Sequence, residues 1–355
     1  MIFTPYINAA LKVLTTRITK KPCLWYINYF ITHKCNLKCP YCYVVTNQNK
    51  QIQDPSLDEI KKIINDLYKL VTRFICLLGG EPFIRKDLDQ IIKYIKNKKM
   101  LVSINSNGTL LEQHIPALKQ LNKICISLEG SKKDHDKDRG QGTYDKILNN
   151  LHILKKEKIK NISVQTTVST NTLDSFLHVI ELAKKIGFSV LITEIACQKN
   201  VKSKEADLSE EQLKTLWKQV YNYKKLGYPI ENTYEAISNV IKYSSYIKPH
   251  QVFNNNDIVH PDLEKLFKKN KCSFGRYNAF LNYDGNMYPC PSLIEEKKYN
   301  IKEKSLNDAY TQMLAEYSCK GCRGFLYYQT NLLFSSLNPN TLLKLAVLAL
   351  KNYNY

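Results

Sequence analysis

The sequence predicts an α/β protein with a partial (β/α)6 barrel followed by a small C-terminal domain that contains cysteines. From Trp25 to about Glu194, short β-rich runs alternate with longer amphipathic runs, which is the pattern of repeated βα units with parallel strands. From Cys272 onward, cysteines reappear together with Gly and Pro after a charged segment. The chain has 355 residues, of which 44% are hydrophobic, so it can bury a large core.

Six strands and four intervening helices are predicted for the barrel. The strands are Trp25–Ile31, Phe74–Leu78, Leu101–Asn105, Ile124–Leu128, Ile162–Val168 and Val190–Ile195. The helices are Leu57–Leu70, Leu88–Lys96, Tyr144–Lys156 and Leu173–Ile186. Because the working loops of such a barrel follow the strands, we expect functional residues immediately after the predicted strand ends.

Composition and charge divide the chain into five segments. They are an N-terminal helical extension (1–23), the barrel (24–200), a helical connector (201–270) that includes a helix over Leu208–Lys225, the cysteine-bearing domain (271–325) and a C-terminal helical tail (326–355).

The formal net charge of +20 arises from 52 Lys and Arg against 32 Asp and Glu. This excess favours acidic partners, but it is spread along the chain and follows a general richness in Lys and Asn, so no specific nucleic acid is expected. The first residues lack the basic, apolar and small-residue order of a secretory signal, which favours a reducing cytoplasm. In that compartment, clustered cysteines indicate metal ligands rather than disulfides.

The first cysteine cluster, Cys35, Cys39 and Cys42, has the spacing C-x3-C-x2-C and follows the first predicted strand. Three thiolates on one loop can each ligate a different iron of one cubane cluster, which leaves the fourth iron without a local ligand. An open coordination position is what catalysis at a metal requires. Zinc is the alternative, because Cys39 and Cys42 form an ordinary C-x2-C hook, although no second hook lies close by.

This cysteine motif, with the aromatic Tyr41 before its last cysteine, resembles that of the radical S-adenosylmethionine (SAM) superfamily. Further motifs match in chain order after successive strands, and the resemblance covers residues 24 to about 200. They are Gly79-Gly80-Glu81-Pro82, Ser106-Asn107-Gly108-Thr109, Ser127-Leu128-Glu129-Gly130 and the later His135, Asp136 and Arg139-Gly140.

The resemblance implies that the three cysteines hold a 4Fe-4S cluster whose open iron chelates the amino and carboxylate groups of SAM. Reductive cleavage of SAM would then release a 5′-deoxyadenosyl radical. The implied SAM contacts include the 79–82 motif at the amino group and Tyr41 near the adenine. The full implied SAM-binding set is Tyr41, Gly79, Gly80, Glu81, Pro82, Ser106, Asn107, Ser127 and Arg139.

A second cysteine set, formed by Cys272, Cys290, Cys319 and Cys322, can close all four positions of one cluster or of one zinc ion. Its spacing resembles the opening of a SPASM domain, but no cysteine follows Cys322. The resemblance is therefore to the truncated twitch domain, which implies one auxiliary 4Fe-4S cluster, with structural zinc as the alternative. Ligation by four cysteines leaves no open iron, which favours electron transfer over direct substrate binding.

The remaining cysteines have no ligand spacing and are predicted to be buried structural thiols. They are Cys23, Cys76, Cys125 and Cys197.

The resulting functional hypothesis is a radical SAM oxidoreductase or maturase that oxidises, or forms a bond in, a peptide or small natural product. It needs a reductant such as ferredoxin or flavodoxin. One alternative is a membrane lipid substrate, with the apolar runs Ile7–Ile18 and Thr341–Leu350 holding an otherwise cytoplasmic protein on the membrane surface. Another is a non-catalytic iron-sulfur or zinc-binding protein. The sequence assigns no catalytic acid or base.

Overall fold

The first six strands run parallel and in chain order, as the sequence predicts. A computed structural model describes residues 22–42, 44, 53–194, 207–248, 251–269, 272–293 and 298–322. The strands are β1 (Tyr26–Phe30), β2 (Phe74–Leu78), β3 (Leu101–Ser106), β4 (Lys123–Ser127), β5 (Ile162–Val168) and β6 (Ser189–Glu194). Each pairs with the next in parallel, so all six carboxyl ends lie at one edge of the sheet.

The helices between these strands confirm the predicted βα alternation. They are α1 (Leu57–Lys69), α2 (Leu88–Asn97), α3 (Ile115–Leu118), α4 (Lys132–Arg139), α5 (Thr143–Lys156) and α6 (Phe176–Ile186). The last begins three residues later than predicted. Ser169 and Thr172 form a local turn, in which the Ser169 N–H donates to Thr172 Oγ1 at 3.0 Å, and this turn competes with a helical start.

Helix α1 shows why these amphipathic runs form helices. Ser56 and Glu59 make a reciprocal capping box, in which each side chain accepts the backbone N–H of the other, at 3.2 and 2.7 Å. Ile60, Ile64 and Leu67 lie on one face and are completely buried. Each such side chain contributes about 1.5–3 kcal/mol by leaving water.

The sheet does not end at β1. Strand β8 (Asn278–Leu281) pairs in parallel with β1, with Asn278 opposite Tyr26, and β9 (Asn286–Tyr288) and β10 (Tyr299–Asn300) follow antiparallel. The sheet therefore has nine strands in the order β10-β9-β8-β1-β2-β3-β4-β5-β6. The sequence predicts a boundary between the connector and the cysteine-bearing domain at residue 271. In the structure, strands β8 to β10, which follow this boundary, belong to the same sheet as the barrel strands.

The connector between β6 and β8 is mostly helical, as predicted. It contains α7 (Glu210–Lys225), α8 (Tyr234–Tyr243), β7 (Val252–Phe253) and α9 (Pro261–Lys269). Ser209 caps α7 in a capping box with Gln212, so this helix begins two residues after the predicted Leu208. After β10, helix α10 (Leu306–Glu316) packs against α1, and β11 (Gly321–Cys322) pairs antiparallel with β7.

A second, smaller apolar cluster joins the end of β1 to the cysteine-bearing segment. The rings of Phe30 and Phe280 lie 6.3 Å apart, and those of Phe280 and Phe274 lie 6.0 Å apart. Cys290 is buried in the same cluster. This packing fixes the second cysteine set against the barrel rather than on a separate body.

Several predictions fall on residues outside the described ranges. These are most of the N-terminal extension (1–23), the tail (326–355), both apolar runs Ile7–Ile18 and Thr341–Leu350, and Cys197. Within the described ranges, no helix combines the length and apolarity that a membrane crossing needs.

Candidate active site

The loop that carries the first cysteine cluster follows β1 and is bound to the loop that follows β2. The Gly80 N–H donates to the Thr32 carbonyl at 2.9 Å, and the Glu81 N–H donates to the Lys34 carbonyl at 2.7 Å. Neither Gly79 nor Gly80 has room for a Cβ beside this loop. The two predicted motifs therefore meet at the carboxyl edge of the sheet through backbone contacts that require glycine.

Glu81 is completely buried, and its carboxylate points into the protein. Oε1 accepts from the Ser106 hydroxyl at 2.9 Å and from the Phe83 N–H at 3.1 Å, while Oε2 accepts from the Asn107 N–H at 2.7 Å. Burial raises the pKa of this carboxyl to about 7, although the three donors oppose the shift. Glu81 thus connects the loops after β2 and β3, and Pro82 begins a short 3₁₀ turn directly behind it.

Asn107 extends this network to the cysteine loop. Its side-chain amide donates to Asn36 Oδ1 at 2.8 Å and lies 3.8 Å from Cys35 Sγ, while Asn36 donates to Thr109 Oγ1 at 2.8 Å. Ser106 accepts the Gly108 N–H at 2.9 Å. The motif after β3 therefore supports the loop after β1.

The three cysteines of the first cluster lie on one turn-rich loop at this edge. The Cys42 N–H donates to the Cys39 carbonyl at 3.1 Å, and the Leu37 N–H donates to Cys35 Sγ at 3.4 Å. Burial raises the pKa of Cys35, and it raises that of Cys39 to about 11 although the nearby Arg139 charge opposes the shift. Unligated, the thiols of Cys35 and Cys39 are therefore protonated at neutral pH, and a cluster would bind them with release of protons.

The chemistry of this donor set fits a cubane better than a single ion. Three thiols within eight residues and no fourth local cysteine suit three irons of one cluster. Among the described residues, which include both cysteine sets, no three His, Cys, Asp or Glu side chains lie close enough to hold one metal ion as they stand, so the fit rests on the type and spacing of the donors. The Leu37 N–H, which lies 3.4 Å from Cys35 Sγ, is the kind of hydrogen-bond donor that stabilises a bound thiolate.

Arg139 forms a buried ion pair with Glu129 at the end of α4. Its Nε donates to one carboxylate oxygen of Glu129, and Nη2 donates to the other at 2.8 Å. The guanidinium carbon also lies 5.8 Å from the centre of the Tyr41 ring. Three predicted regions, namely the cysteine loop, the end of β4 and α4, therefore converge here.

His135 completes this group as a neutral acceptor. The Glu129 N–H donates to its Nδ1 at 3.1 Å, and burial together with the Arg139 charge lowers the pKa of His135 to about 3. The 3.5 Å approach of Nδ1 to the Glu129 carboxylate is therefore not an ion pair. Within the described residues, His135 Nε2 and the Tyr41 hydroxyl have no hydrogen-bond partner although both are buried.

Two further polar residues, Ser127 and Asp54, lie near the ends of the barrel strands. Ser127 is the half-buried last residue of β4, opposite Gln165 in the register. Asp54 is missing from the sequence-based prediction, yet it accepts from the Thr32 hydroxyl at 2.6 Å and from both the backbone N–H and Nδ1 of His33. No local pattern marks Asp54, because its partners precede it by 21 and 22 residues.

The four cysteines of the second set line one small cavity. They are Cys272, Cys290, Cys319 and Cys322, and the other lining residues are Val252, Phe274, Ser292, Tyr317 and Gly321. Burial and the neighbouring sulfurs raise the pKa of Cys272 and of Cys290. The Tyr317 hydroxyl lies 3.0 Å from Cys319 Sγ. Cysteines separated by up to 50 positions in the sequence thus line one apolar cavity, and thiol donors of this type suit an iron-sulfur cluster or zinc.

Of the cysteines outside both sets, Cys76 and Cys125 are buried as the sequence predicts, whereas the prediction is wrong for Cys23, which is only half-buried. Cys76 and Cys125 are buried in β2 and β4, with their sulfurs 3.6 Å from Asn105 Oδ1 and Gln165 Oε1 respectively. Both thiols have a raised pKa caused mainly by burial. Buried thiols of this kind are inert compared with exposed thiolates.

The fold and site together define a class of protein: an open parallel α/β barrel with three cysteines at the carboxyl edge and a C-terminal cysteine site. Residues 29–183 match the radical SAM superfamily. This segment is therefore assigned as a radical SAM domain.

Two curated relatives and one solved structure illustrate the similarity. The chain is 32% identical over 159 residues to Fe-coproporphyrin III synthase of Methanosarcina barkeri, covering 44% of this chain and 40% of that protein. It is 32% identical over 185 residues to the probable GTP 3′,8-cyclase of Methanococcus vannielii, covering 50% of this chain and 62% of that protein. The chain thus spans about half the length of the curated relatives it matches.

The solved structure is Streptococcus suis SuiB bound to the precursor peptide SuiA. It superposes with a TM-score of 0.66 at 14% identity, covering 92% of this chain and 76% of SuiB. This similarity covers more of the chain than residues 29–183, which match the family, and it concerns the fold alone.

Proposed function

We propose that this chain is a radical SAM enzyme that acts on a peptide or a small natural product. The observation that carries the proposal is the convergence of the cysteine loop, the 79–82 motif and the 106–109 motif at one edge of the sheet. Gly80 and Glu81 bind the loop through its backbone, and Asn107 binds it through Asn36. This arrangement supports a cluster site formed by the three thiols at the carboxyl edge of the sheet.

Cys35, Cys39 and Cys42 would hold a 4Fe-4S cluster. When bound, the cluster and SAM together supply reductive cleavage of SAM and a 5′-deoxyadenosyl radical that abstracts hydrogen from the substrate. The chain itself holds the site rigid: Glu81 connects two loops, and the Glu129–Arg139 pair fixes the guanidinium beside Tyr41. Preorganised polar groups of this kind position a cofactor without further rearrangement.

The proposed SAM site extends from the 79–82 motif to Arg139. Tyr41 and Arg139 would supply an aromatic ring and a cation, and Gly79 and Gly80 would supply backbone groups. The Glu81 carboxylate is occupied by three internal donors, so we assign it a supporting role and assign ligand contact at this motif to the neighbouring backbone.

Cys272, Cys290, Cys319 and Cys322 are proposed to hold an auxiliary 4Fe-4S cluster, as in a twitch domain. Their shared cavity supports this assignment. With four protein ligands the cluster would have no open iron, and its role would be electron transfer. Structural zinc is the alternative, and metal analysis separates the two.

A peptide substrate is supported by the similarity to SuiB, which is bound to its precursor peptide. The names of the two curated relatives indicate other substrates, so similarity to the superfamily does not by itself identify the class of substrate. The proposed reductant is ferredoxin or flavodoxin. Lys34 and Lys38 are exposed next to Cys35 and Cys39 and would attract such an acidic protein.

The test is anaerobic reconstitution of the full chain with iron, sulfide and a reductant. We expect about eight iron atoms per chain, which corresponds to two cubane clusters, and formation of 5′-deoxyadenosine from SAM. Cys39→Ala should lose about half of the iron and all SAM cleavage. Cys76→Ala, which removes a buried thiol outside both sets, is the matched control and should retain both. Full iron content without any SAM cleavage by the unaltered chain would refute the proposed activity.

A further inference from the structure

The inner face of the barrel sheet carries uncharged polar side chains near the candidate active site. We define the inner face by five half-buried residues of β3 to β6, which are Asn105, Ser127, Gln165, Thr167 and Thr193. The residues that alternate with them, such as Ile104, Ile126 and Ile192, are fully buried on the opposite side. This alternation shows that the polar set faces away from the helical layer and toward the open side of the barrel.

The polar groups of the inner face are only weakly engaged with one another. Gln165 Nε2 lies 3.5 Å from Thr193 Oγ1, the hydroxyls of Thr167 and Thr193 are 3.4 Å apart, and Cys125 Sγ lies 3.6 Å from Gln165 Oε1. The Thr193 hydroxyl also donates to the Thr166 carbonyl, at 3.4 Å. An amide has two donor hydrogens and a two-lone-pair acceptor, so contacts this long leave hydrogen-bonding capacity unused. The inner face can therefore still bind a polar group.

The inner-face positions of the described strands carry one charged side chain, Lys123, and it is paired at the amino end of β4. Lys123, at the amino end of β4, lies 2.6 Å from Glu231, which also accepts from the Ser189 hydroxyl at 2.5 Å. Among the described residues of β1 to β6, Lys123 is the one charged side chain at the inner-face positions of the alternation. No free cation is therefore placed along these strands to neutralise an anionic substrate group.

We propose that the inner face selects an uncharged amide or hydroxyl group of the substrate, with Gln165 and Thr193 as specificity-determining residues. The inference rests on the proposed function in one respect, which is that the substrate enters at the carboxyl edge of the sheet, where the first cysteine cluster lies. Burying a phosphate or carboxylate without a counter-charge is strongly unfavourable, whereas an amide or hydroxyl can pair with Gln165 and Thr193. Among the substrate classes considered, an uncharged stretch of peptide matches this chemistry, and a nucleotide or a porphyrin carboxylate does not.

The test uses the full chain and three probes: GTP, iron coproporphyrin III and a pool of short, N-acetylated and C-amidated peptides with uncharged side chains. Equilibrium dialysis measures the binding of each probe directly, and extra 5′-deoxyadenosine measures productive binding. We expect the peptide pool to bind and to increase 5′-deoxyadenosine formation, and the two anionic probes to do neither.

Paired variants at Thr193 identify the responsible groups. Thr193→Val keeps the shape and removes the hydroxyl, so we expect about tenfold weaker binding of the peptide pool. Thr193→Ser retains the hydroxyl and should restore binding to within about threefold. Thr311→Val, at an exposed position of α10, is the matched control and should leave peptide binding unchanged.

Tighter binding of either anionic probe, absence of peptide binding, or equal peptide binding by Thr193→Val and Thr193→Ser would overturn the inference. A chain that forms no 5′-deoxyadenosine would refute the proposed function instead. Dialysis would still decide the selectivity of the inner face in that case, so the two failures are distinguishable.

Discussion

Gly80 lies so close to Lys34 that a Cβ on Gly80 would be 2.3 Å from the Lys34 carbonyl oxygen. Real Cβ atoms do not approach backbone oxygen this closely, so the contact is possible only for glycine. It joins the loop after β2 to the cysteine loop after β1. Two residues that are 46 positions apart in the sequence, Lys34 and Gly80, can thus make this contact only because Gly80 has no Cβ.

Gly80→Ala is therefore expected to displace the cysteine loop and to reduce iron bound after reconstitution from about eight to about four atoms per chain. Gly227→Ala is the control, because Gly227 has a positive φ of 82° but no neighbour within 4 Å of the added Cβ. That variant should lose about 1 kcal/mol of stability and keep its iron. Full iron content in Gly80→Ala would show that the loop tolerates the displacement.

Glu81 predicts a specific pH dependence for the metal-free chain. Burial raises the pKa of its carboxyl from 4.5 to about 7, so the folded state holds this proton more tightly than the unfolded state. The free energy of unfolding should therefore fall as pH rises through this interval, by about 1.4 kcal/mol per unit and on the order of 3 kcal/mol in total.

Glu81→Gln removes this titration, and its stability should lack that decline between about pH 4.5 and pH 7. Urea unfolding of both proteins across the interval measures the difference. An identical slope for Glu81→Gln would mean that another group causes the pH dependence.

The Glu129–Arg139 pair predicts strong coupling in a double-mutant cycle. Arg139→Met leaves the Glu129 carboxylate buried without its counter-charge and should lower the free energy of unfolding by about 3–5 kcal/mol. The combined Glu129→Gln and Arg139→Met variant should lose less than the sum of the two single variants. Strict additivity in urea unfolding would indicate that the pair contributes no coupling. Lys132→Met, which breaks an exposed pair with Asp145, should change stability by less than about 1 kcal/mol.

Tyr317 predicts an effect on the reduction potential of the proposed auxiliary cluster. Burial raises the pKa of its hydroxyl well above the usual value, so the protonated group can donate to Cys319 Sγ at 3.0 Å. Hydrogen bonds to ligand sulfur stabilise the more negative, reduced cluster.

Tyr317→Phe should lower the potential of one cluster in a spectroscopic redox titration while the iron content stays at about eight atoms. The matched control is Tyr310→Phe, which removes a hydroxyl that donates to the Arg276 carbonyl rather than to sulfur. An unchanged potential in Tyr317→Phe would exclude a role for this hydroxyl in tuning the cluster.

Much of the fold was predictable because its signals are local. Strands Phe74–Leu78 and Ile162–Val168 have the predicted bounds, and the other four barrel strands shift by one residue at one or both ends. The late start of α6 shows the limit, because a side-chain turn at Ser169 and Thr172 outweighs helical periodicity.

The sequence by itself determined the order of the βα units, the family resemblance and the spacing of the first cysteine cluster. Each of these depends on residues close together in the chain or on motifs that recur in order. Only the tertiary structure decided that β8 extends the sheet beside β1, that Asp54 binds Thr32 and His33, and that Lys123, the one charged side chain at the inner-face positions of the described strands β1 to β6, is paired with Glu231. These features depend on contacts between distant segments, and such contacts are specified by packing across the whole sheet rather than by any local pattern.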